Sequence, residues 1–131
     1  MKMNAKLLAM KKKIKEKLID FLGNKIAISF ARSDDDLQLM KLIHNSTPGV
    51  YVDIGSWLPK KASNSYFFYL RKWRGICRDP NPELKTLYSE IRPLDTFINA
   101  GIGLTNSSMT YFTFKESSMN TFSKEFIKKI I

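Results

Sequence analysis

A chain of 131 residues with 44% apolar and 12% aromatic side chains fits one small globular domain and is apolar enough to bury a core, which excludes a wholly disordered chain. Twenty-two lysines and arginines stand against twelve acids, a net charge of +10 that attracts anionic partners such as nucleic acid, phospholipid headgroups or a phosphorylated ligand. Cys77 is the sole cysteine and His44 the sole histidine, which excludes an intramolecular disulfide and an all-cysteine metal site and removes the usual ligands for zinc and the usual base for a serine nucleophile.

The opening segment MKMNAKLLAMKKKIKEKLIDFLGNK is broken by lysines throughout, so neither a secretory signal nor a membrane span fits. Leu7, Met10, Ile14, Leu18 and Phe21 recur every three or four residues, Lys11, Lys12, Lys13, Lys15 and Lys17 fill much of the rest, and Gly23 offers a stop. The pattern predicts a basic amphipathic helix over 1–24. Two readings stay open: a helix attached to the domain with a solvated basic face, or a contact with nucleic acid or a membrane surface. A reducing cytoplasm is the expected compartment, with peripheral membrane contact through this helix as the alternative.

A second helix is predicted after Ser33, which offers an N-cap, with Asp34, Asp35 and Asp36 favouring the positive helix end and Leu37, Met40 and Ile43 forming its buried stripe. Consecutive aspartates on a helix diverge by roughly 100° and cannot converge on one ion, so no metal site is expected. His44, near the end of that helix, suits a helix carboxyl terminus and not catalysis.

From Val50 onward, strands and helices alternate. GVYVDIGS reads as a strand; SNSYFFYLRKWRG as a helix with Ser63 as cap, Tyr66, Phe67, Leu70 and Trp73 inward, and Gly75 as exit; GICRD as a second strand. PNPELKTLYSEI follows as a helix, with Asn81 capping, Pro82 at its first position, Leu84, Leu87 and Ile91 inward, and Arg92-Pro93 ending it; DTFINAGIG is a third strand. SMTYFTF alternates like a further strand, and TFSKEFIKKII reads as a terminal helix. Strand, helix, strand, helix, strand predicts an open parallel sheet with right-handed crossovers. In such a sheet ligands bind at the carboxyl ends of the strands, where Asp53 and Gly55 end the first strand and Asp79 the second. Asp79 lies 26 positions after Asp53, near the spacing of about 20 at which an acid meets ribose hydroxyls in dinucleotide folds. A polar strand end at Asp53 and a turn-forming aspartate before Pro80-Asn81-Pro82 account for the same residues without a ligand. The single glycine in DIGSWLP disfavours an NAD loop.

The run YVDIGSWLPKKASNSYFFYLRKWRGICRDPNPELKTLYSEIRPLDTFINAGIG resembles the amino-terminal half of the FkbM-type S-adenosylmethionine-dependent methyltransferases. Six ordered segments carry the resemblance: the acid-x-Gly loop, the Ser-Asn-Ser-Tyr helix start, the Trp-Arg-Gly-Ile turn, Asp-Pro-Asn-Pro, Arg-Pro-x-Asp and Asn-Ala. It covers roughly 33–123. The resemblance implies an α/β, Rossmann-like methyltransferase domain over 25–131, with S-adenosylmethionine as cofactor and O-methylation of a sugar or other small acceptor as activity. It places Asp53 and Gly55 beside the methionine part of the cofactor, Asp79 on the ribose, Pro80 and Asn81 at the adenosine, and Asn99 and Ala100 near the adenine. No catalytic base is assigned by it. Ser56-Trp57 after the glycine and Arg78 beside Asp79 depart from the family pattern. Family members continue into later strands with an Asp-x-Glu-Gly segment absent here, so a truncated sheet is expected, with an added strand or hairpin near the carboxyl end. Its first strand is then expected to be an uncovered edge, which SMTYFTF folds back to cover, a second copy or a companion chain pairs, or aggregation conceals, with self-association the favoured outcome.

Overall fold

The computed structural model describes residues 5–25, 28–43 and 47–130. His44 lies outside the described residues. The element order is α1 (Ala5–Lys25), α2 (Asp35–Ile43), β1 (Val50–Ile54), α3 (Tyr66–Leu70), β2 (Arg74–Asp79), α4 (Leu84–Ile91), β3 (Thr96–Asn99), a 3₁₀ turn (Ser117–Met119) and α5 (Lys124–Ile130). The alternation yields a mixed α/β fold with a three-stranded sheet in the order β1-β2-β3. β2 and β3 run parallel, with Ile76 opposite Thr96 and Asp79 opposite Asn99. Arg74 N–H donates to Gly49 O near the start of β1 and Gly55 N–H to Arg78 O near its end, so β1 runs the same way. Two compact units divide the chain: 1–51 with 60–75, and 52–59 with 76–131.

The first unit holds α1, α2 and α3. α3 is shorter than the aromatic run suggests. Ser63 Oγ accepts from Tyr66 N–H at 3.1 Å, so the predicted cap starts a turn, and the helix proper begins two residues later than a cap at Ser63 would place it. It also ends early, because Arg74 and Gly75 belong to β2; Gly75 is no helix exit. Its missing side chain has another use: a Cβ there would collide with the Tyr51 ring. Tyr66, Phe67 and Phe68 are buried, with Phe30 edge-on to Tyr66 at 4.9 Å between centroids.

α2 starts after Asp34, whose carbonyl accepts from Leu37 and Gln38, so Ser33 is not its cap. Asp36 turns inward and is fully buried. Its carboxylate accepts from Ser29 Oγ at 2.6 Å and from the amides of Phe30, Ala31 and Leu37, four donors that offset the cost of burying a charge. α1 continues through Gly23 to Lys25 and lies against α3, with Ile19 and Leu22 half-buried and Asp20 paired with Lys60 at 2.7 Å.

In the second unit α4 covers one face of the strands: Tyr88 stacks on Phe97 at 4.5 Å, and Cys77 is buried beneath. The inward stripe of α4 is Leu84, Tyr88 and then Arg92, not Leu84, Leu87 and Ile91, which leaves Leu87 and Ile91 exposed. A four-residue step keeps these three on one side of the helix. Arg92 and Asp95 form an ion pair with both side chains fully buried, N–O 2.6 Å, and Arg92 also donates to Pro59 O. The opposite face of the strands is bare among the described residues: Val52, Ile54, Ile76 and Ile98 are all exposed. SMTYFTF forms no strand; its one ladder element is an antiparallel bridge from Phe112 to Thr121. The terminal helix is present as α5.

Candidate functional site at the carboxyl ends of the strands

The second unit brings the carboxyl ends of β1, β2 and β3 together; β2 ends in Asp79 and β3 in Asn99, and β1 carries Asp53 one residue before its end at Ile54. The chain leaves β1 through a turn that few sequences could make. Gly55 has φ +70°, where a side chain would be strained, and Trp57 also lies in left-handed space at φ +45°. The turn is pinned because Gly55 and Ser56 N–H both donate to Arg78 O.

Asp79 is the hub. It is 6% exposed, one carboxylate oxygen accepts from Trp57 N–H at 3.0 Å, and the other accepts from Asn81 N–H at 2.9 Å. Its carbonyl accepts from the Asn99 side chain at 3.0 Å. Asn81 in turn takes Glu83 N–H on its side-chain oxygen, which starts the turn into α4. One acid therefore ties the β1 turn, the α4 start and the β3 end. Both readings of the sequence meet here, since the acid sits where a ribose would be recognised and also serves as a turn former. Each oxygen keeps one further lone pair.

Beside this hub lies an open cleft of about 500 Å³, lined among others by Arg78, Pro80, Ala100, Tyr111 and Phe122. That size falls in the range of roughly 300–1,000 Å³ common to small-molecule sites. Of the sequence-expected residues, Pro80 and Ala100 line the cleft; Asp79, Asn81 and Asn99 are joined by hydrogen bonds next to Pro80 but are not in its lining; and Asp53, within β1, and Gly55, in the turn after it, are not in the lining either. Arg78, Tyr111 and Phe122 are among the lining residues that were not anticipated as site residues. Arg78 donates from Nε to Ala100 O at 3.3 Å and so ties β2 to the residue that follows β3 within the cleft lining. Tyr111 and Phe122 pack ring to ring at 4.9 Å and form an aromatic wall. The alternation of SMTYFTF was the available signal for Tyr111, and it pointed to a strand. Burial raises the Tyr111 hydroxyl above its ordinary range, with the Asn120 hydrogen bond opposing, so at neutral pH it is a proton donor and not a base.

Elsewhere in this unit Trp57 Nε1 donates to Ser117 Oγ at 3.0 Å, joining the β1 turn to the 3₁₀ turn. Tyr88 OH donates to Ser56 O, while Ser56 Oγ is buried with no hydrogen-bond partner among the described residues. No group of three or more His, Cys, Asp or Glu side chains able to hold a metal occurs among the described residues. No described helix is long and apolar enough to cross a membrane. No family model, curated protein or solved structure matches the chain.

Proposed function

We propose that this chain binds S-adenosylmethionine and belongs to a methyltransferase that acts on a hydroxyl of a sugar or other small acceptor. The observation that carries the reading is the cleft at the carboxyl ends of parallel β2 and β3, which has Pro80 and Ala100 in its lining and the Asp79 hub beside it. The adenine lies in the cleft, between Pro80 and Ala100 and against the Tyr111–Phe122 wall, where an apolar ring system is half-sheltered from water. The ribose hydroxyls take the remaining lone pairs of Asp79, which requires the Trp57 turn to give way, and the methionine part follows Gly55 out of β1. The cofactor supplies the methyl group; the chain's own residues bind and orient it.

Because Asp79 starts buried and engaged, binding is weak, with an expected dissociation constant of about 0.1–1 mM. Calorimetry with S-adenosylhomocysteine tests the reading. A saturable heat in that range, lost in Ala100→Trp, which fills the cleft, is the expected result. No heat at millimolar ligand, or binding indifferent to Ala100→Trp, overturns it. Asp79→Asn separates direct ribose contact from framing: the former costs affinity with the fold intact, whereas the latter lowers stability itself.

A further inference from the structure

The apolar stripe of α1 faces solvent. Leu7, Met10, Ile14, Leu18 and Phe21 are between 40% and 62% exposed, although the helix lies against α3 and the adjoining side, at Ile19 and Leu22, is half-buried. At roughly 100° per residue the five fall inside an arc of about 80°, along about 21 Å of helix. Lys11 and Lys15 lie on one side of this arc and Lys17 and Lys13 on the other, all exposed. The helix holds seven lysines against two acids, and one of those acids, Asp20, is paired with Lys60.

We propose that α1 docks this stripe onto an anionic phospholipid bilayer, lying in the plane of the surface. A narrow apolar strip flanked by cations is what such an interface receives: the apolar side chains enter the acyl boundary, while the lysine stems lie along it and carry their ammonium groups to lipid phosphates. α1 is too charged to cross the bilayer. Nucleic acid fits less well, because it would engage the lysines and leave five large apolar side chains in water. A second copy of α1 would set lysine against lysine on both borders of the strip. The proposal is independent of any cofactor in the second unit.

The test is flotation of the full chain with vesicles that are roughly one-third phosphatidylglycerol in phosphatidylcholine, against vesicles of phosphatidylcholine alone. Binding to the anionic vesicles at least about tenfold tighter than to the neutral ones is expected, and it falls at least about tenfold in the double variant Ile14→Gln, Leu18→Gln. Both positions are more than half exposed, so the half-buried side of α1 is untouched, and unchanged circular dichroism checks this. Lys11→Gln with Lys13→Gln is a second variant, expected to remove the preference for anionic lipid. Three results overturn the proposal: flotation indifferent to the glutamine pair at Ile14 and Leu18; tighter capture by duplex RNA, equally indifferent; or a concentration-dependent oligomer that this pair dissolves.

Discussion

The buried ion pair of Arg92 and Asp95 is costly to assemble and costly to break. Both side chains are shielded from water, and Arg92 also reaches Pro59 O, so it holds the segment after β1 against the end of α4. Removing one partner takes the counter-charge from the other in a buried setting; Arg92→Met should cost about 3–5 kcal/mol in urea unfolding, while replacing both by apolar residues should cost much less. A loss under about 1 kcal/mol for the single change would place the stabilisation elsewhere. Cys77 makes a second residue-scale prediction. Burial pushes its thiol from 9.0 up to about 11, with the Arg92 charge opposing. Below 9.0 both folded and unfolded chains keep the proton, so this group gives stability no pH slope. Between 9.0 and about 11 the unfolded chain loses the proton and the folded chain retains it, so stability falls as pH rises, and above that window it levels off. The fall is of order 2 kcal/mol, and Tyr88, raised by burial too, steepens it in the same direction. Urea midpoints across that window should decline in the parent chain and decline less in Cys77→Ala.

Among the elements, β1 is the least protected. It has β2 on one side and no strand on the other among the described residues, and Val50, Val52 and Ile54 are 79%, 64% and 61% exposed. Gly49 O and Gly55 N–H point toward β2, so by strand alternation the backbone of Val50, Val52 and Ile54 points to the open edge. No lysine or proline interrupts the strand to discourage pairing. Self-association through this edge is the expected behaviour, and sedimentation across a concentration series should show it, with Val52→Lys shifting the chain toward monomer. A monomer at high concentration whose Val50–Ile54 amides are protected from exchange would mean that the edge is already covered. Such association differs from one through α1, which Val52→Lys would leave intact.

For the whole molecule the net charge of +10 is the dominant long-range property. It predicts retention on a polyanionic resin at low salt and release as salt rises, because screening shortens the field to about 8 Å at physiological ionic strength. Lipid binding through α1 should survive added salt better than resin binding does, because its apolar part is not screened. Equal salt sensitivity of the two would reduce the role of α1 to charge alone.

Local chemistry was legible in the sequence wherever neighbours along the chain decide the outcome. The strand–helix–strand alternation, the 3.6-residue stripe of α1, the glycine turn after β1 and the acids near the ends of β1 and β2 follow from side-chain type and spacing, which act within a few residues. What lies across each stripe is set by residues far along the chain, and there only the tertiary structure decided. It put Tyr88 and Arg92, not Leu87 and Ile91, on the buried side of α4, because Phe97 and Asp95 wait there. Asp36 was drawn out of a run of three like acids by donors at Ser29, Phe30 and Ala31, and SMTYFTF lost its strand because only Phe112 found a ladder partner. Asp79 came to face two loop amides, and the stripe of α1 was left in water. Periodicity announces that a face is apolar, but burial requires a partner surface, and partners are brought by the path of the whole chain.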